Sequence, residues 1–399
     1  MSMLQSSLND CLERLRAKGV KCSLSKGTVL VVRDVPYLNA ALKLDFGELI
    51  FGLSFSGESL LPPADHTAYW KGEQPCNIDG TVIEGLVNGP NRKDFGDGVV
   101  SDFFLSRKPL DNGGKYLTNY DKVMQHIQMI SAPARAKYPS ECKCDRSEVE
   151  VLGEELPFVY GDTNASRANI TGICECLEGQ KLAIIGLGGT GMYLLDYLAK
   201  CPVGEIHLYD DDSFSNHNAF RAPGAASVDV LNRRLSKVQY AAEVYGKMKR
   251  NIVSHEMKVT PENISALDEM DFVFVCVDSS SVRNMIAAHF VDVGMSFIDT
   301  GLGLDIVDRH IVGQVRVTLG IPGHYEHLKE AFGSQSGDEY DPYASNIQIA
   351  ELNSMAAMMS VVKWKKLLGF YGDTSFLEDL SSIYCVQSGS IFKAQKDEN

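Results

Sequence analysis

Lys181-Leu-Ala-Ile-Ile-Gly186-Leu-Gly188-Gly189-Thr-Gly191, then Met192-Tyr-Leu-Leu-Asp-Tyr-Leu-Ala-Lys200, then Glu205-Ile-His-Leu-Tyr-Asp210, is the stretch that decides the fold. Leu182–Ile185 is an apolar run of strand length, a glycine turn follows, and the next residues have helical character. A second strand ends in an acid. Gly186, Gly188 and Gly191 keep the G-x-G-x-x-G spacing. The first glycine permits a tight turn, the second lets backbone approach a phosphate, and the third lets helix and strand pack closely. The helix N-terminus then offers free N–H groups and a partial positive charge to an anion. Asp210, nineteen residues after Gly191, stands where a carboxylate accepts hydrogen bonds from a ribose. Strand, turn, helix and acid in this order imply nucleotide binding.

Outward from this unit the pattern alternates strand and helix, which predicts an α/β fold: a Rossmann-like, mostly parallel sheet with helices on both faces. A helical segment carries Lys237. The apolar strand Phe272 to Val277 ends in Asp278, and Phe297 to Asp299 leads into a glycine turn at 300–303. Ile311 to Leu319 alternates as a strand, antiparallel at one end of the sheet. Residues 320–345, with Tyr325 and Tyr340, read as a long loop. Ile347 to Leu368 reads as a helix packed on the sheet, with Met355, Met358 and Met359 as core fillers.

Before this domain, residues 1–137 read as a smaller mixed α+β domain. A helix is predicted at 5–19, strands at 28–32 and 49–55, loop at 60–80, and a helix at 123–132 stopped by Pro133. Residues 138–168 are polar and read as a linker, and 169–399 as the nucleotide-binding domain.

The chain has 399 residues, a 44% apolar fraction and a net charge of −14, which argues against a general nucleic-acid or anionic-membrane binder. No apolar span has the length of a transmembrane helix. Ten cysteines without a secretion signal point to reduced thiols in a cytoplasmic protein. Cys142-x-Cys144 and Cys174-x-Cys176 are too closely spaced for the usual structural zinc pair, so zinc is not expected. Cys76 lies near Asp65 and His66, a pairing that reads as a buried thiol beside a loop histidine rather than as a nucleophile.

Asp210, Arg221, Lys237 and Asp278 follow the glycine loop in that order, and a parallel sheet would gather them at its carboxyl end. A ribose acid, two cations and a separate metal carboxylate suit chemistry at an ATP α-phosphate.

This half of the chain resembles the ThiF/MoeB/HesA superfamily, the fold of ubiquitin-activating enzymes. The resemblance rests on Gly-Leu-Gly-Gly-Thr-Gly at 186–191, Asp-x-Asp at 210–212, Asn218 with Arg221, Ser236-Lys237, and Cys-x-Asp at 276–278 with Val282-Arg283-Asn284. It implies adenylation of the C-terminal glycine carboxylate of a ubiquitin-like or sulfur-carrier protein, with ATP and Mg²⁺, in a bacterial conjugation or sulfur-transfer pathway. By the same resemblance Gly186, Gly188, Gly189 and Gly191 hold phosphates and Asp210, with Asp212, lies at the ribose. Asn218, Arg221 and Lys237 contact phosphates, and Asp278 positions Mg²⁺. The family often has Gln after the arginine, where this chain has Ala222.

Relatives often supply an arginine in trans from a second subunit, which implies a homodimer and puts Arg167 in that place. Thioester-forming relatives carry a cysteine after the metal aspartate. Here none lies between Cys276 and Cys385, so Cys385, Cys76, a conjugating-enzyme or sulfur-donor partner, or no group at all takes the acyl adenylate. Residues 1–137 more loosely resemble an uncharacterised domain that precedes such modules in bacterial chains. Two other readings stay open: an NAD-dependent oxidoreductase, and a non-catalytic module that holds a ubiquitin-like partner.

Overall fold

A computed structural model of the chain describes residues 5–142, 156–168, 170–328, 347–373 and 379–393. The chain divides into two units, Met1–Glu175 and Cys176–Asn399.

In the second unit the run Lys181–Ile185 is buried along nearly its whole length, as a strand covered on both faces must be. Its even and odd positions separate cleanly. Leu182 and Ile184 join the core formed with Leu194, Leu198, Ala241 and Trp364, and Ala183 and Ile185 join the one formed with Ile286 and Phe290. The helices Gly189–Leu198, Lys237–Tyr245 and Ala350–Leu367 therefore cover one face, and Ser280–Val293 covers the other. Among the described residues the sheet has eight strands. Ile252–His255, Glu205–Tyr209, Lys181–Ile185, Phe272–Val275 and Phe297–Val307 are parallel in that spatial order. His310–Gly320, Ser381–Cys385 and Ser390–Lys393 continue it antiparallel. The order of connection reverses between Lys181–Ile185 and Phe272–Val275, and ligands bind beyond the strand ends at such a point.

Four expectations need correction here. Thr300-Gly-Leu-Gly303 is no turn but the middle of the strand Phe297–Val307. Its backbone is approached closely by the paired strand: a Cβ at Gly313 there would lie 2.0 Å from the Gly303 carbonyl oxygen. The strand His310–Gly320 is antiparallel, yet it is not the sheet's end, because two further strands follow. The apolar strand that starts at Phe272 closes at Val275 rather than at Val277. Met358 is exposed on the C-terminal helix, whereas Met359 packs on the core. Tyr340 lies outside the described residues.

The first unit is built on an antiparallel sheet, ordered Lys21–Ser25, Val29–Leu38, Leu44–Gly52, Thr67–Lys71, Val100–Ser106 and Val87–Asp94. Helices Gln5–Ala17 and Asn119–Lys137 bury Leu12, Leu15, Val123, Ile127 and Ile130 with Leu30, Leu49 and Trp70. Thr67–Lys71 is a central strand inside the stretch that reads as loop, and Trp70 is fully buried on it. Pro133 does not stop its helix, which runs on to Lys137. Ile130 and Ala134 on either side are fully buried, and that packing outweighs the backbone bond a proline cannot donate.

Candidate functional site

The glycine turn is shaped by what surrounds it. Gly186 has φ +90°, and a Cβ there would lie 2.8 Å from the Cys276 carbonyl oxygen of the adjoining strand's extension. At Gly191 a Cβ would lie 2.0 Å from the Gly186 carbonyl oxygen, so the helix can approach the strand only with glycine there. The turn is thereby fixed at the topological switch point, and the helix Gly189–Leu198 starts from it with Gly188 as the residue preceding its first turn.

Asp210 stands at the end of the neighbouring strand and is committed on several sides. It accepts from the Leu187 N–H at 2.7 Å and from the Asp212 N–H at 2.9 Å, and pairs with Lys237 Nζ at 3.2 Å. A carboxylate with these bonds keeps room for a further donor, such as a sugar hydroxyl. Lys237 is brought to it by a zipper between two segments. Phe214 N–H donates to the Leu235 carbonyl, Lys237 N–H donates to the Asp212 carbonyl, and Ser213 bridges Ser236. Ser236 then caps the helix, its hydroxyl accepting from the Gln239 N–H while the Gln239 side chain accepts from the Ser236 N–H. Lys237 Nζ lies 2.7 Å from Asp212, and its side chain is only 8% exposed. The hydrogen bond from Lys237 holds the Asp212 carboxyl below the usual carboxylate range. The ammonium retains a further N–H for an anion.

Asn218 and Arg221 sit on the short segment beyond Asp210. The Asn218 side-chain oxygen accepts from the Ser215 N–H and hydroxyl, both at 3.0 Å, which anchors the residue. Its Nδ2 is buried and, among the described residues, has no hydrogen-bond partner; the same is true of Arg221 Nε. Burial lowers the Arg221 guanidinium, and the charge of Asp278 opposes that shift. Asp278 itself is exposed, just before the helix Ser280–Val293. Orphaned buried donors are rare in folded proteins, and here they accompany an exposed carboxylate. This set fits a polyanion with a bound cation: donors and cations for phosphate oxygens, and Asp278 for a metal.

Sequence reasoning passed over several groups. Asp299 is 1% exposed and pairs with Arg316 at 2.7 Å and Arg283 at 3.5 Å. Arg283 also donates to the Val277 carbonyl at 2.8 Å and the Thr300 carbonyl at 2.7 Å, which fixes the backbone just before Asp278. The signal in the sequence was an acid directly after the apolar pair Phe297-Ile298, and its partner Arg316 is found only through the pairing of strands. Asn353, fully buried on the helix Ala350–Leu367, was also missed.

The remaining sequence candidates are scattered. Arg167 is exposed on the short helix Thr163–Ala168 of the first unit. Cys76, in the first unit, is buried; its thiol donates to the Gln74 carbonyl, and desolvation pushes it up. Among the described residues no hydrogen bond joins Cys76 to His66, and Asp65 is taken up by Lys122 and Thr67. Cys385 is half-buried on Ser381–Cys385, with hydrogen bonds from Ser388 that pull its thiol down. Cys276 follows its strand, and desolvation pushes its thiol up to about 12. Of the paired cysteines, Cys144 lies outside the described residues. No described helix is long and apolar enough to cross a membrane.

Comparison with known proteins bears on both parts of the chain. The profile of the ThiF family matches residues 163–393, and that of a domain of unknown function, DUF6791, matches residues 10–163. Ubiquitin-like modifier-activating enzyme 5 of Drosophila virilis is 25% identical over 213 residues, covering 47% of this chain and 51% of the relative. Adenylyltransferase and sulfurtransferase UBA4 of Yarrowia lipolytica is 28% identical over 113 residues, 28% of each chain. The chain thus spans about half the length, or less, of these curated relatives. Among solved structures, E. coli MccB crystallised with ATP is similar at 18% identity and a TM-score of 0.46, over 59% of this chain and 72% of that one.

Proposed function

The chain belongs to the ThiF family, and on that premise we propose that it is an ATP-dependent adenylyltransferase of the ubiquitin-activating type. Its substrate is the C-terminal glycine carboxylate of a ubiquitin-like or sulfur-carrier protein, in a bacterial conjugation or sulfur-transfer pathway. The observation that carries this reading is the set of groups beyond the strand ends at the switch point: the glycine turn, the Asp210–Lys237 pair, and the buried donors of Asn218 and Arg221. An NAD site has no use for two cations and an exposed acid at this place.

In the reaction, a carboxylate oxygen of the protein substrate attacks the α-phosphorus of ATP. A carboxylate–phosphorus bond forms, the bond to the oxygen bridging the α- and β-phosphorus breaks, and pyrophosphate leaves with the electron pair. Catalysis of this kind is mostly positioning and charge neutralisation. The glycine turn, with Gly186, Gly188, Gly189 and Gly191, leaves room for the phosphates. Asp210, held by Leu187 and Asp212, takes the ribose. Asn218, Arg221 and Lys237 donate to phosphate oxygens as charge develops on them. Asp278 would hold Mg²⁺, which neutralises phosphate charge when bound. Arg283 fixes the backbone next to that aspartate.

Arg167, supplied by a second copy, would complete the site in a homodimer. Of these two cysteines, Cys385 is only half-buried and its thiol is lowered, as suits an acyl acceptor, whereas Cys76 is buried and its thiol is raised. We assign residues 1–137 to a separate N-terminal domain, 138–168 to a connection, and 169–399 to the adenylating domain.

The test is pyrophosphate exchange into ATP with Mg²⁺ and a ubiquitin-like protein ending in glycine. Exchange that requires the free C-terminal glycine and disappears in Asp278→Ala supports the reading. Exchange retained in Asp278→Ala refutes the metal role, and partner binding indifferent to ATP, without exchange, would make the protein a non-catalytic binding module.

A further inference from the structure

Gly189 is not one of the three glycines that the spacing of the turn requires, yet the structure gives it a reason. A Cβ at Gly189 would lie 2.1 Å from Asn353 Nδ2 and 2.4 Å from Asn353 Cγ. Real Cβ atoms do not come so close, so the asparagine and a side chain at 189 cannot share this space. Asn353 sits in the first turns of the helix Ala350–Leu367 and is fully buried. Its side-chain oxygen accepts from the Thr190 hydroxyl at 2.9 Å, in an environment also buried. Its Nδ2, among the described residues, has no hydrogen-bond partner. Beside it, Gln348 Oε1 lies 3.8 Å from where a Gly188 Cβ would be, and is likewise buried without a partner among the described residues. A buried amide whose donor is unsatisfied is costly unless something repays it. The backbone of the turn at Gly189 lies beside that donor.

We propose that Asn353 is a positioning residue for ATP, acting through Gly189 and Thr190: the C-terminal helix sets the height and tilt of the glycine turn, and glycine at 189 is required because the asparagine occupies the side-chain space. The inference rests on the proposed function, since it takes the turn to be the phosphate site. It explains why a residue some 160 positions further along the chain belongs to the site (Thr190 and Asn353 are 163 apart). It also couples phosphate binding to the packing of a helix that carries none of the groups assigned to the reaction.

A double-mutant cycle tests it, read as Mg²⁺-ATP affinity by calorimetry and as thermal stability without ligand. Gly189→Ala should weaken ATP binding about tenfold, and Asn353→Ala somewhat less, about three- to tenfold. The double variant should bind no worse than Asn353→Ala alone, because removing the amide makes room for the methyl. Thr190→Val serves if Gly189→Ala does not fold: it should weaken binding by about the same factor as Asn353→Ala, and the two together should not multiply. Asn353→Asp keeps the shape and the acceptor for Thr190 but loses the donor; affinity restored toward wild type in it would assign the role to the Thr190 contact. Losses that multiply in either cycle, or variants that lower stability while leaving ATP affinity unchanged, overturn the proposal. A wild type that binds no ATP overturns the proposed function instead, and the ligand-free stability cycle of Gly189 and Asn353 still decides whether the two residues are coupled.

Discussion

Each unit of this chain buries a lysine against an aspartate, and the two pairs are built for different ends. In the first unit Lys122, 5% exposed, reaches Asp65 at 3.0 Å, whose carboxylate is 56% exposed and also accepts from the Thr67 N–H and hydroxyl. Desolvation pushes the Lys122 ammonium down, and the nearby Asp65 opposes it. The lysine is buried, and its ion-pair partner reaches water. In the second unit Lys237 meets two acids, and Asp210 beside it is itself only 8% exposed. The same unit holds the exposed Asp278, the half-buried Arg221, an Asn218 donor that is buried without a partner among the described residues, and a glycine turn whose Leu187 N–H reaches Asp210. A buried charge with one solvated partner closes off a fold. A buried charge shared between two acids, in a unit that also keeps buried donors without partners among its described residues, suits a place for an anion. The distinction lies in the neighbours and not in the pair.

The largest effect that sharpens this comparison is on activity. Lys237→Met and Asp278→Ala should each lower pyrophosphate exchange by about 10²- to 10³-fold. Lys122→Met should leave exchange within about twofold of wild type, and a comparable loss there would erase the contrast.

The next effect concerns acid. His126 in the first unit is fully buried, with Nδ1 at 2.8 Å from the Lys122 carbonyl, and burial pushes it down to about 4. The unfolded imidazole takes a proton near its ordinary value, about 6.5. Because the folded value is depressed, the stabilisation is complete above the unfolded value and is lost as pH falls from about 6.5 to about 4. The loss is at most about 3 kcal/mol. His126→Phe, which suits its neighbours Phe51 and Tyr116, should flatten that part of the stability–pH curve in a denaturation series. An unchanged slope would remove His126 from the account.

Gly186→Ala in the second unit should cost about 1–3 kcal/mol in a thermal melt, since it adds both a strained φ and a clash with the Cys276 carbonyl. The smallest effect is that of Lys122→Met on stability, about 1 kcal/mol, because the aspartate it leaves behind is solvated.

How much of this could be read in the sequence follows from range. The parallel strands, the glycine turn and the acid at 210 lie within thirty residues, and each announces itself by local spacing. The strand Thr67–Lys71 did not, because its neighbours are rich in Pro, Gly and Asp, and the sheet it completes is formed from distant segments. The glycines at 301 and 303 read as a turn because glycine marks turns in local sequence, whereas here they lie inside a strand paired along its length with His310–Gly320. Pro133 read as a stop because the packing that carries its helix past it is tertiary. In the site, Asp210, Lys237, Asn218 and Arg221 came from an ordered motif, whereas Asn353, Asp299 and Arg316 act through contacts that join strands and helices far apart in sequence.

The central claim is that the switch point binds ATP with a metal held by Asp278. It is tested most directly by thermal stability with Mg²⁺-ATP, with NAD and with no ligand, on the wild type and on Asp278→Ala. A ligand present at about a hundred times its dissociation constant should stabilise the folded protein by roughly 2.7 kcal/mol. The account predicts such a shift for the wild type with Mg²⁺-ATP, a weaker one in Asp278→Ala, and none with NAD. A shift with NAD alone would contradict it and return the glycine turn and Asp210 to an oxidoreductase.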